Sequence, residues 1–450
     1  MKRFLFLLVV FLVAVSFVMA GGQKEGEGKA AEEEQEGPVT LQWWHAMGGA
    51  LGEKLNQIAE DFNNSQDRFV IEPVYKGNYS ETMTSGIAAF RSGNPPHIIQ
   101  IYEVGTATMM SAEGAIKPVY EVMEMMDKPF DPDRYIPSVT GYYTTPDGRM
   151  LSLPFNSSTP VLWYNKDAFR EAGLDPNDPP ETWPEVAEYS RELVDAGYKG
   201  FSTAWISWIH LENFGAWHDI PFGTKANGFE GLDAELAYNS DLYVKHVQKL
   251  AEWQEEDIFV YGGRTNDGNA LFSSGEVAMY TESSAGYGGF NESADFEFGS
   301  TMLPYWPEQG GAPQNTIIGG ASLWVMGGHS DLEYEGIAEF FDYLSSPEVQ
   351  ADWHEFTGYL PITEEAYQLA KEQGLYEETP ALETAILQMT RAEPTANSKG
   401  IRFGNYGEVR TINYEELEAV FNDKKTAEEA LNAAVRRGNE VLREFERANQ

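Results

Sequence analysis

The chain contains no cysteine in its 450 residues. That absence excludes disulfides, thiolate zinc sites, iron–sulfur clusters and thiol catalysis. It also closes the usual bacterial route to a lipid anchor, which needs a cysteine just after the leader. Positive charge is scarce as well. Lys and Arg number 31 against 71 Asp and Glu, for a formal net charge of −40. Such a chain repels nucleic acid and anionic membrane surfaces, and neither is expected as a partner. The acidity reads as a solvated surface, whose self-repulsion salt would screen within about 3 Å at 1 M.

Catalytic and phosphate-cradling signatures are missing too. No G-x-x-x-x-G-K-[ST] or H-E-x-x-H occurs. Gly320-Ala321-Ser322-Leu323-Trp324 lacks the second glycine of a nucleophile elbow and continues as a strand. His210 and His218 flank Glu212, but their separation is not a helical ligand spacing. No metal and no cofactor are expected. Acidic residues are so numerous that any one carboxylate pair carries little catalytic signal.

No apolar run is long enough to span a bilayer. Residues 4–19 come closest, and a span needs about 20. Lys2 and Arg3 precede this run and Val18-Met19-Ala20 ends it, which is the pattern of a cleaved secretory signal over 1–20. The mature chain is therefore expected in the periplasm. Residues 21–37, GGQKEGEGKAAEEEQEG, hold almost nothing to bury and are expected to form a disordered acidic linker. The fold should begin near Pro38.

From there, strand and helix signals alternate. Thr40-Leu41-Gln42-Trp43-Trp44, Phe69-Val70-Ile71 and His97-Ile98-Ile99-Gln100-Ile101 read as strands. Leu51, Leu55, Ile58 and Phe62 recur at helical spacing, and a second helix stops at Gly93-Asn94-Pro95-Pro96. This rhythm predicts a parallel, doubly wound α/β sheet. It resumes with Thr159–Tyr164, with capping boxes at Thr182/Glu185 and Thr426/Glu429, and with strands near 277–280 and 322–326. The last third turns mostly helical.

Aromatic residues are abundant, with 11 Trp, 23 Tyr and 25 Phe, and several fall among glycines and hydroxyls. Lys76-Gly77-Asn78-Tyr79 and Phe155-Asn156-Ser157-Ser158 are two such places. Aromatic walls with hydroxyl donors suit polyol ligands.

Four stretches carry a resemblance: YKGNYSETMTSGIAAFRSGNPPHIIQIYEVGTATMM at 75–110, PFNSSTPVLWYNKDAFREAGLDP at 154–176, IIGGASLWVM at 317–326 and TGYLPITEEAY at 357–367. With them the chain resembles extracellular solute-binding family 1, in its branch that serves sn-glycerol 3-phosphate uptake by bacterial ABC importers. YNKDAF and TGYLPI belong to the wider sugar-binding family, while the YKGNY, YEVGTATMM and PFNSSTP blocks are more specific. The resemblance implies a two-lobe periplasmic-binding-protein fold of class II with the ligand in the cleft. It places chain crossings near 155–158, 281–285 and 344–347. Lobe 1 would combine 38–157 with 285–344, and lobe 2 would combine 158–284 with 345–450.

The resemblance also implies ligand contacts, residue by residue. They are Tyr79 of YKGNY, Glu103 of YEVGT, Ser158 of FNSSTP, Trp183 of ETWPE and Ser283 after Tyr280-Thr281-Glu282. Gly320 of IIGGAS, Tyr359 of TGYLP and Arg410 after KGIRFGN complete the set. An arginine fork with hydroxyl donors suits a phosphate. Glu103 would accept hydrogen bonds from glycerol hydroxyls, and Trp183 would cover the carbon face. The implied partners are sn-glycerol 3-phosphate or a glycerophosphodiester, and the permease subunits of the importer. The chain is expected to act as a monomer and not as an enzyme. Two other readings stay open: a binder of uncharged oligosaccharides on the same fold, and a secreted hydrolase.

Overall fold

The computed structural model describes residues 37–450 apart from 113, 127–130 and 146. The proposed signal, 1–20, and all of the proposed linker but Gly37 lie outside the described residues.

Eleven strands are described: β1 (Val39–His45), β2 (Phe69–Tyr75), β3 (Ile98–Tyr102), β4 (Ile116–Lys117), β5 (Leu153–Ser158), β6 (Pro160–Asn165), β7 (Lys199–Thr203), β8 (Phe259–Tyr261), β9 (Val277–Ser283), β10 (Phe298–Thr301) and β11 (Gly319–Met326). They form two sheets. The first runs β2-β1-β3-β11-β4, with β5 also pairing with β11. The second runs β10-β6-β9-β7-β8. Helices pack on both, and the architecture is the two-lobe α/β fold expected of the sequence.

The strands form where apolar side chains alternate or run together. β1 buries Val39, Leu41, Trp43 and His45 and turns the residues between them outward. The helix Gly49–Ser65 buries Leu55, Ile58, Ala59 and Phe62, one stripe at helical spacing, and returns the chain to β2. Four helices open on a reciprocal capping box, at Asn78/Glu81, Thr182/Glu185, Ser330/Glu333 and Thr426/Glu429. Each box satisfies two backbone donors that would otherwise lack partners.

One part of the topology departs from the parallel expectation. β1 pairs in parallel with β2 and β3, but β11 runs antiparallel to β3, β4 and β5. Both sheets are mixed. β11 arrives from the second sheet rather than through a crossover helix, so nothing forces it parallel.

The chain passes between sheets at a single residue. β5 ends at Ser158 in the first sheet and β6 starts at Pro160 in the second, leaving Thr159 as the joint. Thr159 is buried and held on several sides. Its Oγ1 donates to Thr316 Oγ1 at 2.6 Å, and its carbonyl accepts from Ser284 N at 2.9 Å. Leu360 N bonds to the neighbouring Ser157 carbonyl at 2.7 Å. Segments from four parts of the chain therefore meet at the joint. The return to the first sheet lies later than 281–285. β10 still pairs with β6, so the chain recrosses between β10 and β11.

Aromatic side chains make up much of the core. Around the first sheet, Trp43 meets Phe155 and Phe340 edge-on, and Phe155 stacks on Trp353 at 4.9 Å. Around the second, Phe201, Trp253, Phe259 and Phe421 pack together. The helix Ala427–Ala448 lays Ala430, Leu431, Ala434, Val441 and Leu442 into that second core. Among the described residues, no helix is long and apolar enough to cross a membrane.

Candidate functional site

Strand ends converge at the joint, and a cavity of about 170 Å³ opens there. Ligands in open α/β folds bind beyond the carboxyl ends of strands. That is where this site forms. Glu103 follows β3, Ser158 ends β5 and Ser283 ends β9. Gly320 is the second residue of β11, Tyr79 opens the helix Tyr79–Arg91, and Tyr359 follows the helix Pro347–Thr357. Arg410 projects from the helix Tyr406–Phe421. All seven line this one cavity.

The centre of the site is a buried ion triad. Arg410 Nε and Nη2 donate to the two oxygens of Glu212 at 2.9 and 2.6 Å. Nη2 also donates to Glu103 Oε1 at 2.7 Å. All three residues are buried, with side-chain exposures of 8%, 2% and 6% for Arg410, Glu212 and Glu103. The guanidinium is thus held in one pose, and its Nη1 makes no hydrogen bond among the described residues. Burial pushes the Glu103 carboxyl up, and the Arg410 charge offsets part of that shift. The two carboxylates hold the Arg410 guanidinium firmly charged.

Neutral donors complete the lining. Asn156 Nδ2 donates to Tyr79 Oη at 2.9 Å, and the Tyr79 ring stacks on Tyr102 at 5.5 Å. Burial raises the Tyr79 and Tyr359 phenols above their ordinary range, so both stay protonated donors. Gly320 sits at φ +85, and a Cβ there would fall 1.9 Å from the Asn156 carbonyl oxygen. Only glycine fits. At Gly319 a Cβ would strike the Trp208 indole at 2.4 Å, so that ring lies directly against the β11 backbone.

Trp183 is the exception and requires correction. It is 2% exposed and lies outside the cavity lining. Thr182 caps its helix, and Trp183 at the first helical position drops into the second core against His246, His210 and Phe201. The cavity tryptophans are instead Trp205 and Trp208. Trp205 holds a left-handed φ of +43, a conformation that costs a bulky residue about 1–3 kcal/mol and collects at functional sites. Trp208 starts a π-helical turn, Trp208–Asn213, which also carries Glu212. Two tryptophans three residues apart after a strand are the signal that could have found them.

Glu212, Glu282, Asn266 and Asn269 were not anticipated either. Glu282 is the penultimate residue of β9, beside Ser283, and is 2% exposed. Its Oε1 accepts from Ser283 N at 2.6 Å, while Oε2 has no partner among the described residues. Burial lifts this carboxyl to about 8. Arg402, the other arginine near the KGIRFGN block, lies outside the lining. It donates to the Tyr142 carbonyl and stacks on Phe229 at 4.1 Å.

Elsewhere, donor atoms of His97, His329 and Glu333 lie within 4.8 Å of one another. His97 Nδ1 accepts the Gln42 backbone N–H at 3.0 Å, which leaves the ring proton on Nε2. That nitrogen therefore donates to Glu333 instead of offering a lone pair to a metal. His210 and His246 are likewise committed to each other at 2.9 Å in the core.

Two α/β lobes with a polar cavity at the strand ends define a ligand-binding receptor of the solute-binding type. Comparison with known proteins agrees. The family described as bacterial extracellular solute-binding protein matches residues 57–384, and the chain belongs to it. It is 50% identical over 404 residues to the sn-glycerol-3-phosphate-binding periplasmic protein UgpB of Brucella abortus, covering 89% of this chain and 93% of that one. It is also 50% identical over 414 residues to the UgpB of Salmonella typhimurium, covering 92% and 94%. Among solved structures, UgpB from Mycobacterium tuberculosis in complex with glycerophosphocholine matches with a TM-score of 0.73 at 21% identity, over 91% of this chain and 99% of that one. A cyclic maltosyl-maltose binding protein from Arthrobacter globiformis matches with a TM-score of 0.72 at 23% identity, over 90% and 99%. Those two likenesses concern the fold alone.

Proposed function

We propose that this chain is the extracytoplasmic receptor of an ABC importer for sn-glycerol 3-phosphate, with glycerophosphodiesters as related ligands. It works in the periplasm after loss of residues 1–20. It binds as a monomer, without a cofactor and without turnover, and presents the loaded form to the permease subunits of the inner membrane. Lobe 1 comprises 38–157 and 319–344, and lobe 2 comprises 158–301 and 345–450. The stretch 302–318 forms the second crossing. Closure of the lobes brings Tyr79, Glu103 and Gly320 of the first against Ser283, Tyr359 and Arg410 of the second.

The observation that carries this reading is the convergence of seven residues implied by the family resemblance on one cavity around Arg410. The phosphoryl group takes the Arg410 Nη1 donors and the hydroxyls of Ser158, Ser283 and Tyr359. The helix Gly286–Ser293, whose first residue lines the cavity, turns its positive end the same way. Glu103 accepts from glycerol hydroxyls, and the Trp205 and Trp208 rings cover the carbon chain.

A neutral oligosaccharide fits less well. At about 170 Å³ the cavity is smaller than the common range of ligand pockets, roughly 300–1,000 Å³. A sugar also gives no reason for a buried guanidinium. A hydrolase would need a nucleophile beside a base, and no histidine or lysine lines the cavity among the described residues. Calorimetric titration with sn-glycerol 3-phosphate, glycerophosphocholine and maltose, followed by a search for product, tests the reading. Binding of an ester with no product supports it. Binding of maltose alone, or release of glycerol, overturns it.

A further inference from the structure

We propose that Glu282 meets the ligand as a neutral carboxylic acid, donating a hydrogen bond to a phosphoryl oxygen, so that the ester is bound with one proton. This rests on the phosphate-ester reading above.

The geometry is specific. Glu282 is buried at the cavity wall, next in sequence to Ser283. One oxygen accepts the Ser283 backbone N–H, and the other lacks any partner among the described residues. No described ion pair reaches it. The one guanidinium in the lining, Arg410, is already shared between Glu103 and Glu212. An ionised Glu282 would place an uncompensated buried charge beside an incoming anion. A protonated one has a spare O–H where a phosphoryl oxygen needs a donor.

The surroundings favour the proton. Burial lifts Glu282 to about 8, and the Ser283 N–H holds it partly down, with a smaller contribution from the Trp205 indole and Asn269 amide, neither of them in hydrogen-bonding geometry with Oε2. The nearby tyrosines and histidine are silent between neutral and mildly alkaline pH. Tyr280 on the same strand and Tyr359 in the cavity lining are both raised by burial. So is Tyr79, also in the lining. His210, bonded to the adjacent Thr281, is lowered to about 3 and stays neutral. Asp267, which acts on Tyr280 from the neighbouring loop, is exposed. Glu103 and Arg410 form an ion pair in the same lining. A phosphomonoester has its own second ionisation near pH 6, below this window.

The sign follows from linkage. If the neutral form binds, affinity is full below the Glu282 pKa and falls as pH rises through it. From a value near 8, affinity should drop roughly 30-fold between about pH 7 and about pH 9.5. The test is calorimetric titration of the full chain at constant salt, in buffers of different protonation enthalpy, with sn-glycerol 3-phosphate and glycerophosphocholine. The diester does not titrate in this range, so a slope shared by both esters belongs to the protein. Wild type should take up more than about half a proton per ligand near pH 8.5. Glu282→Gln keeps a donor that cannot ionise. Its affinity should vary less than about threefold over the range, with no proton uptake, and at about pH 9.5 it should exceed that of wild type. Glu282→Ala should bind about tenfold or more weakly near pH 7, having lost the donor. A flat wild-type profile, or a slope that survives in Glu282→Gln, overturns the inference while leaving the phosphate-ester reading intact. Failure of both esters to bind near pH 7 overturns the two together.

Discussion

Replacing Arg410 with alanine tests the centre of the site and separates two effects. Arg410 donates three hydrogen bonds to carboxylates, at 2.6, 2.7 and 2.9 Å. Its loss leaves Glu103 and Glu212 buried without a counter-charge. Breaking a buried pair in this way costs about 3–5 kcal/mol of stability. A ligand phosphate would lose one or more charge-assisted bonds, each worth about 1.5–3 kcal/mol, and meet two bare carboxylates. At about 1.4 kcal/mol per factor of ten, binding of sn-glycerol 3-phosphate should weaken about 100-fold or more. Arg410→Lys should recover only part, since one ammonium cannot hold Glu212 at two atoms and still reach Glu103.

The stability loss carries its own pH signature. Burial already raises Glu103, and Arg410 pulls it partly back. Without Arg410 the folded pKa climbs further above the unfolded value of about 4.3. A group raised on folding contributes stability at low pH and loses it as pH rises through the folded pKa. Arg410→Ala should therefore melt closer to wild type at about pH 5 than at about pH 8. Calorimetric titration and thermal melts at the two pH values measure both effects. If the variant binds within about threefold of wild type, Arg410 does not hold the phosphate. If its melting deficit is the same at both pH values, the triad is not the source of the instability.

Arg402→Ala should leave ester binding nearly unchanged but lower the melting temperature, because Arg402 anchors the Tyr142 carbonyl away from the cavity. A binding defect larger than the Arg410 one would reverse the two roles. Trp183→Ala should cost about 3–5 kcal/mol in denaturant unfolding as a core truncation. Trp208→Ala should instead weaken binding by about tenfold or more, and the opposite pattern would restore Trp183 to the cleft. Gly320→Ala should impair both folding and binding, as its Cβ has no room against Asn156. Normal melting and titration of that variant would contradict the geometry at the start of β11.

Much of the fold was legible because its signals are local. Trp43, Ile71 and Ile99 sit in apolar, β-prone runs, and the Thr182/Glu185 and Thr426/Glu429 boxes mark helix starts by hydrogen-bond chemistry alone. Among the strands that escaped notice, Lys199–Thr203 and Phe298–Thr301 owe their place to neighbours in the second sheet, not to their own pattern, while Phe259–Tyr261 is apolar but only three residues long. The late second crossing follows from the same pairing of Phe298–Thr301. In the site, Tyr79 and Gly320 were readable from distinctive sequence blocks. Glu212 and Glu282 were not, since 71 acidic residues make any one of them anonymous. Trp183 misled because an aromatic beside a capping box looks the same in sequence whether it faces a core or a cleft.

The triad of Arg410, Glu103 and Glu212 has a consequence for discrimination. Its charges answer one another, which fixes the guanidinium in one pose and turns its Nη1 edge to an incoming anion. A molecule offering only a phosphate reaches the Nη1 edge alone, and one offering only a pair of vicinal hydroxyls reaches Glu103 alone. A molecule offering both makes the two sets of bonds at once, the anion on the guanidinium and the hydroxyls on Glu103. Inorganic phosphate and free glycerol, each half of the whole, then gain only half of the bonds and need no steric barrier to disfavour them.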